Sequence, residues 1–192
     1  MLALPTALSM ADLWLPTILG GVAVFFMSFI LRMVLKYHWK DFKNMEKPDT
    51  VMDALRSQGL DHGQYMFPEC SGPECMKDPV WLERYNRGPK GFVFLLPPGP
   101  FSFGKALSLS FLFNLAVSAF AAVTLCCFVS QGLSLDAAPT YVAMVGFLGF
   151  GVSSVCGPIW KASSVRVCLL ELMDAAVYGV AMAVPFYYFL PS

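Results

Sequence analysis

Four apolar blocks decide what this chain can fold into: Leu13 to Leu35, Ala106 to Ser130, Pro139 to Trp160 and Val167 to Leu190. Each is long enough for a helix to cross a hydrocarbon layer, which takes about 20 residues at about 1.5 Å of rise per residue. The apolar residues run on in blocks and do not alternate with polar ones, as they would in a half-buried strand. Hydrophobic residues make up 57% of the 192 and charged residues only 14%, a balance that belongs to membrane proteins. The expected fold is an all-α membrane protein of four transmembrane helices, with a small cytoplasmic α+β insertion between the first and second. The chain divides accordingly into an outside tail with the first transmembrane helix (1–36), a cytoplasmic α+β module (37–104) and a three-helix transmembrane region (105–192).

Charge sets the expected orientation. The formal net charge is zero, yet eleven of the thirteen Lys and Arg lie between Arg32 and Lys105, and the other two are Lys161 and Arg166. One arrangement places all of them on the cytoplasmic side, with the four spans threaded so that both termini are outside. The basic residues are interleaved with acids and form no long run, so nucleic acid is not an expected partner. A cleaved signal peptide would need a positive start, whereas the first block is preceded by Asp12. Lys36, Lys40, Lys43 and Lys47 recur at three- to four-residue spacing, a basic face suited to anionic head groups or to simple positive-inside anchoring.

The middle region has a soluble composition. Thr50 with Asp53 fits a capping box for a short helix over Val51 to Ser57, ended by Gly59. Gln64 to Phe67 reads as a strand stopped by Pro68. Asp78 followed by Pro79 opens a second helix that runs to Arg87 and closes at Gly88 and Pro89. Phe92 to Leu96 reads as a second strand, ended by Pro97, Pro98 and Pro100. About 50 residues are marginal for a free-standing core, so this module is expected to lie against the membrane domain.

At Gly63 to Pro68 (GQYMFP), at Gly88 with Pro89, and at the Pro97 to Gly99 turn leading to Gly104 and Lys105, the chain resembles a group of small, uncharacterised bacterial integral membrane proteins. The resemblance covers most of the chain from about His38 onward. It implies a bacterial inner-membrane setting, in which the outer side that the charge pattern gives to both termini of this multi-pass chain is the periplasm, and it carries no activity or site residue to transfer.

The fourth block carries Glu171 and Asp174 into its apolar run. Its ten Leu, Val and Phe residues favour insertion by about 3 to 6 kcal/mol, whereas two acids at the bilayer centre would cost about 5 to 7. The helix is close to break-even alone and needs partners for its acids. Arg32, Lys105, Asn114 and Arg166 are the candidates. Arg32 sits on a stripe with Gly20, Val24 and Ser28 and either snorkels to the interface or pairs with an acid of the fourth span. Asn114 lies at a depth similar to that of Asp174, so a hydrogen bond between them is expected to be within reach. Arg32, Asn114, Glu171 and Asp174 thus form a candidate intramembrane polar cluster, read either as a packing contact or as a proton, ion or ligand site.

Two stripes of small residues, Gly149, Ser153 and Gly157 in the third span and Ala175, Gly179 and Ala183 in the fourth, are expected to pack against each other. Cys70 and Cys75, with His62 upstream, are the only metal-like set. The simplest reading is two free thiols in a reducing cytoplasm, with zinc or a redox disulfide as alternatives. No other cofactor is expected. Cys126, Cys127, Cys156 and Cys168 read as buried small hydrophobes. His38 and His62 lie outside the blocks, which argues against a haem held by two membrane histidines, and no phosphate loop or nucleophile elbow is present. The function expected is a non-enzymatic accessory or scaffold subunit of an inner-membrane assembly, partnered by the bilayer and by other membrane subunits or copies of itself. The alternatives are a small proton-linked channel or transporter using Glu171 and Asp174, and a metal or redox protein centred on Cys70 and Cys75.

Overall fold

The computed structural model describes residues 8–190. The first seven residues of the tail expected over Met1 to Asp12, and the chain end at Ser192, lie outside the described residues. Four helices are long and apolar enough to cross a membrane: Met10–Val34, Phe103–Ser130, Leu135–Trp160 and Val165–Phe189.

Helix α1 (Met10–Phe29) starts three residues before the first apolar block, because Ser9 and Asp12 close its end. The Ser9 backbone N–H donates to Asp12 Oδ2 at 2.9 Å and the Ser9 hydroxyl donates to the same oxygen at 2.6 Å. Pro16 therefore lies inside the helix rather than at its first turn. The helix does not end regularly. It passes into a π-helical turn over Ile30–Val34, and Lys36 then adopts a left-handed backbone (φ 54°) that starts the 3₁₀ turn Tyr37–Lys40.

The third span is not one continuous helix. Helix α5 (Ala138–Gly151) gives way to a 3₁₀ stretch at Val152–Val155 before the short α6 (Cys156–Trp160). The last span, α7 (Val165–Phe189), is capped by Ser164, whose hydroxyl accepts from the Arg166 N–H. Helix α7 packs most extensively on α5 and next on α1, and α1 also packs along α4 (Phe103–Ser130). Leu13, Val24, Leu125, Val142, Met182 and Phe186 fill the centre of this bundle with no exposed surface. Phe26, Leu112, Phe120, Leu148 and Val180 point outward, the arrangement expected where lipid is the solvent.

Residues Lys43–Phe101 form a second compact unit, whereas Tyr37 to Phe42, drawn with the module from sequence, group with the spans. The shift has a physical cause in the bonds that Tyr37, His38 and Asp41 make to α7. In the second unit, helix α2 (Pro48–Ser57) begins at Pro48, so the start expected at Thr50 is not used. Strand β1 (Gly63–Phe67) pairs antiparallel with β2 (Gly91–Leu95), Tyr65 opposite Val93. Between them α3 (Pro79–Arg87) is capped by Asp78, which accepts from the Val80 N–H at 3.0 Å. None of the residues from Lys43 to Phe101 is fully buried, as expected for so short a stretch.

Candidate functional site

The site forms where the end of α1 turns back on α7. Asp174 lies about two turns into α7 and is only 1% exposed. Its carboxylate accepts a hydrogen bond from the Tyr37 hydroxyl, contacts His38 Nε2 at 2.9 Å, and faces the Arg32 guanidinium at 3.9 Å. The π-helical turn carries Arg32, and the left-handed Lys36 aims Tyr37 and His38 back at the helix. A π-helical turn and a non-glycine residue at positive φ are both costly, and such features concentrate at functional sites.

From Asp174 the contacts continue outward. His38 Nδ1 lies 2.5 Å from Asp41, and Asp41 accepts from Arg166 Nη1 at 2.8 Å. Arg166 also donates to the Tyr37 carbonyl at 3.1 Å, which fastens the 3₁₀ turn to the start of α7. The result is a chain, Asp174 to His38 to Asp41 to Arg166, leading from a buried carboxylate to an exposed arginine.

The hydrogen-bond inventory of this chain decides its chemistry. Two contacts link three acceptor-capable groups, and each becomes a hydrogen bond when one proton lies in it. With two protons in place, either the His38 ring holds both, or it holds one and a carboxyl holds the other. Passing a proton from one arrangement to the other needs no side-chain movement. Arg32 and Arg166 face Asp41, Asp174 and Glu171, of which Glu171 acts on Arg32 through its field. With Tyr37 and a singly protonated ring neutral, two cations meet three anions, and one added proton balances the group.

Tyr37 stays a donor. Burial, and then its hydrogen bond to the Asp174 carboxylate, push its phenol well above the usual range. The Tyr178 hydroxyl, one turn further along α7, faces both Arg32 and Asp174 but is buried without a hydrogen bond of good geometry.

Of the four residues expected to cluster, Arg32 and Asp174 meet and Glu171 stands half-buried near Arg32. Asn114 is buried on α4, but Asp174 takes its partners from Tyr37, His38 and Arg32 instead. Arg166 pairs with Asp41 rather than with an acid of its own span, and Lys105 is exposed. Tyr37, His38 and Asp41 are the members that the sequence reading missed. A histidine and an acid three residues apart, directly beyond an arginine-bearing span, were the available signal.

The small residues also act differently from expectation. Helices α5 and α7 do pack closely, but through Gly146 against Gly179 and Gly151 against Ala175. Gly149 instead faces Val117 of α4, Ser153 is exposed and Gly157 faces Ser163. Gly149 turns to α4 while the helix is still regular, and the 3₁₀ stretch after Gly151 breaks its four-residue register with Ser153 and Gly157. Ala183 and Gly179 are buried as expected. Cys168 is buried and Cys126 half-buried, whereas Cys127 and Cys156 are exposed on the outside of their helices.

In the second unit Cys70 and Cys75 are joined as a disulfide, not left as free thiols. His62 lines a separate cleft with Met52, Leu55 and Leu96. Among the described residues no group of three or more His, Cys, Asp or Glu is placed to hold a metal ion. Compared with protein-family models, with curated proteins and with solved structures, the chain finds no match.

Proposed function

We propose that the protein is a small proton-linked transporter or channel of a bacterial inner membrane, with Asp174 as its protonatable group and His38 and Asp41 as the route to it. The observation that carries this reading is the His38 ring held between two carboxylates, one buried in a span and one at its edge. Chains of Asp and His inside membrane helices are a recurrent means of moving protons. The distribution of Lys and Arg supports an orientation with this end of the bundle, and the Lys43–Phe101 unit, on the cytoplasmic side and both termini outside.

The test is proton flux into liposomes that contain the purified full-length protein and a pH-sensitive dye. Wild-type protein should acidify the lumen under an imposed gradient, and Asp174→Asn should abolish this while keeping its native size. Absence of flux from correctly folded wild-type protein would end the reading.

A second reading, an accessory or scaffold subunit, is favoured by a different observation. Asp174 is 1% exposed and faces three donor groups, which is what a latch between two helices requires. In that case the chain holds other membrane subunits or its own copies through its outward faces, since Gly146, Gly151 and Gly179 are used within the chain. A protein that runs as a lone monomer in mild detergent and retains no partner would count against it.

A further inference from the structure

The loop between β1 and α3 reads Cys70-Ser71-Gly72-Pro73-Glu74-Cys75. Its cysteines stand 5.7 Å apart at Cα, inside the range that a disulfide spans without backbone movement. Both are half-buried, so a small reagent can reach them. The surrounding loop is held from outside the pair. The Trp81 indole of α3 donates to the Glu69 carbonyl at 2.8 Å, and Trp81 stacks on Tyr85 with ring centres 4.8 Å apart. The first contact ties the residue before Cys70 to α3, and the Asp78 N–H, donating to the Cys75 carbonyl at 3.1 Å, ties Cys75 to the start of the same helix.

The same loop also accommodates the broken bond. The Gly72 carbonyl lies 3.3 Å from Cys70 Sγ and 2.9 Å from Cys75 Sγ, an acceptor placed for either thiol. A loop this short gains little chain-entropy stabilisation from its cross-link, so neither state is strongly preferred on that ground. On the orientation proposed above, the pair meets a reducing compartment, where a permanent structural bond is not the usual outcome.

We infer that Cys70 and Cys75 form a reversible thiol–disulfide exchange site whose reaction partner is a low-molecular-weight thiol of the glutathione class. The thiolate of the partner attacks one sulfur, the bond between the cysteines breaks, and the released sulfur takes a proton. A second partner thiol attacks the mixed disulfide, frees the remaining cysteine as a thiol and departs as the oxidised partner. Two electrons enter the protein, and two partner thiols become one disulfide. This chemistry is independent of proton transport at Asp174.

The test is equilibration of the full-length protein, in mild detergent, with reduced and oxidised glutathione, followed by trapping with an alkylating reagent and peptide mass analysis. The Cys70–Cys75 bond should fall from about nine-tenths to about one-tenth of molecules across roughly a hundredfold change in the square of the reduced glutathione concentration divided by the oxidised glutathione concentration. The same curve should appear from either starting state, with Cys126, Cys127, Cys156 and Cys168 unchanged. A Cys75→Ser variant should trap a mixed disulfide with glutathione at Cys70. Three results would overturn the inference: a bond that survives the most reducing buffer in folded protein, a bond that never forms in the most oxidising one, or links found only between copies. Because every readout is a thiol mass, failure here leaves the flux experiment unaffected, and the converse holds.

Discussion

The His38 ring nitrogen Nε2 stands 2.9 Å from the Asp174 carboxylate, although the two residues are 136 positions apart in the chain. That contact turns the end of the first span into part of the last one. A histidine outside the apolar blocks thereby supplies the partner that an acid inside one of them needs.

Removing the acid exposes this dependence. Asp174→Ala leaves the Tyr37 hydroxyl and His38 Nε2 without an acceptor and the Arg32 guanidinium without its counter-ion. Unsatisfied buried groups cost about 1 to 3 kcal/mol each, and because Tyr37 and His38 are only half-buried and the exposed Arg32 adds little, a loss at the low end for two groups, roughly 2 to 3 kcal/mol, is expected. Asp174→Asn keeps an acceptor and should lose less. Thermal unfolding of both variants in one detergent checks the order, and an alanine variant as stable as wild type would show that the latch does not bear on folding.

A pH experiment isolates Tyr37. Its phenol is raised in the folded protein by burial and by the Asp174 carboxylate. A group with a raised folded pKa binds more protons in the native state, so its contribution is complete below the unfolded value of about 10 and declines as pH rises above it. Wild-type protein should hold its Tm between pH 8 and 9 and lose stability from about pH 10 upward. Tyr37→Phe should show a shallower alkaline decline. Equal slopes for the two proteins above pH 10 would contradict the assignment.

The left-handed Lys36 offers a backbone test. A side chain at φ 54° costs about 1 to 2 kcal/mol, while Lys36 also places its ammonium 5.0 Å from the Trp39 ring centre. Such an exposed cation–π contact offsets about 0.5 to 1 kcal/mol. Lys36→Gly should therefore remain within about 1 kcal/mol of wild type, whereas Lys36→Val loses the cation–π contact and adds β-branched crowding at positive φ, at least about 1 kcal/mol in all. Chemical unfolding measures both. A valine variant that unfolds like wild type would mean that the turn does not hold Tyr37 and His38 in place.

Much of this was legible beforehand, and the omissions have physical causes. Span positions follow from apolar run length, which is a local property, and the four blocks match the four long helices to within a few residues. Asp78 capping α3 and the two strands, each within one residue of its expected range, follow from turn and cap chemistry, also local, whereas their antiparallel pairing joins distant segments and formed no part of the sequence reading. Asp174 stood out because an acid in an apolar helix needs a reason. Its partners were harder to read, since Tyr37 and His38 reach it only through a π-helical turn and a left-handed lysine that no periodicity encodes. The stripe of Gly149, Ser153 and Gly157 misled because spacing does not say which neighbour a face meets: Gly149 meets α4, Gly146 and Gly151 meet α7, and beyond Gly151 the helix is no longer α.

The seam between α5 and α7 makes the contrast testable. A Cβ added at Gly179 would sit 2.4 Å from the Ala143 carbonyl oxygen and 3.1 Å from the Phe147 nitrogen, both backbone atoms that cannot step aside. The helices must separate, and overpacking of this kind costs about 1 to 3 kcal/mol. At Gly149 the added carbon would meet only a Val117 methyl at 3.1 Å, which can shift by a few tenths of an ångström. Gly179→Ala should therefore lower the unfolding midpoint clearly and Gly149→Ala hardly at all, although the two glycines look alike in sequence. Gly146→Ala, with a Gly179 Cα at 2.8 Å, should behave like the first. Because Asp174 sits just over one turn before Gly179 on the same helix, the separation at Gly179 should also weaken the His38 contact, and a greater alkylation rate at Cys168 would report it. Equal midpoints for the Gly179 and Gly149 variants would mean that α5 and α7 do not meet where the backbone places them.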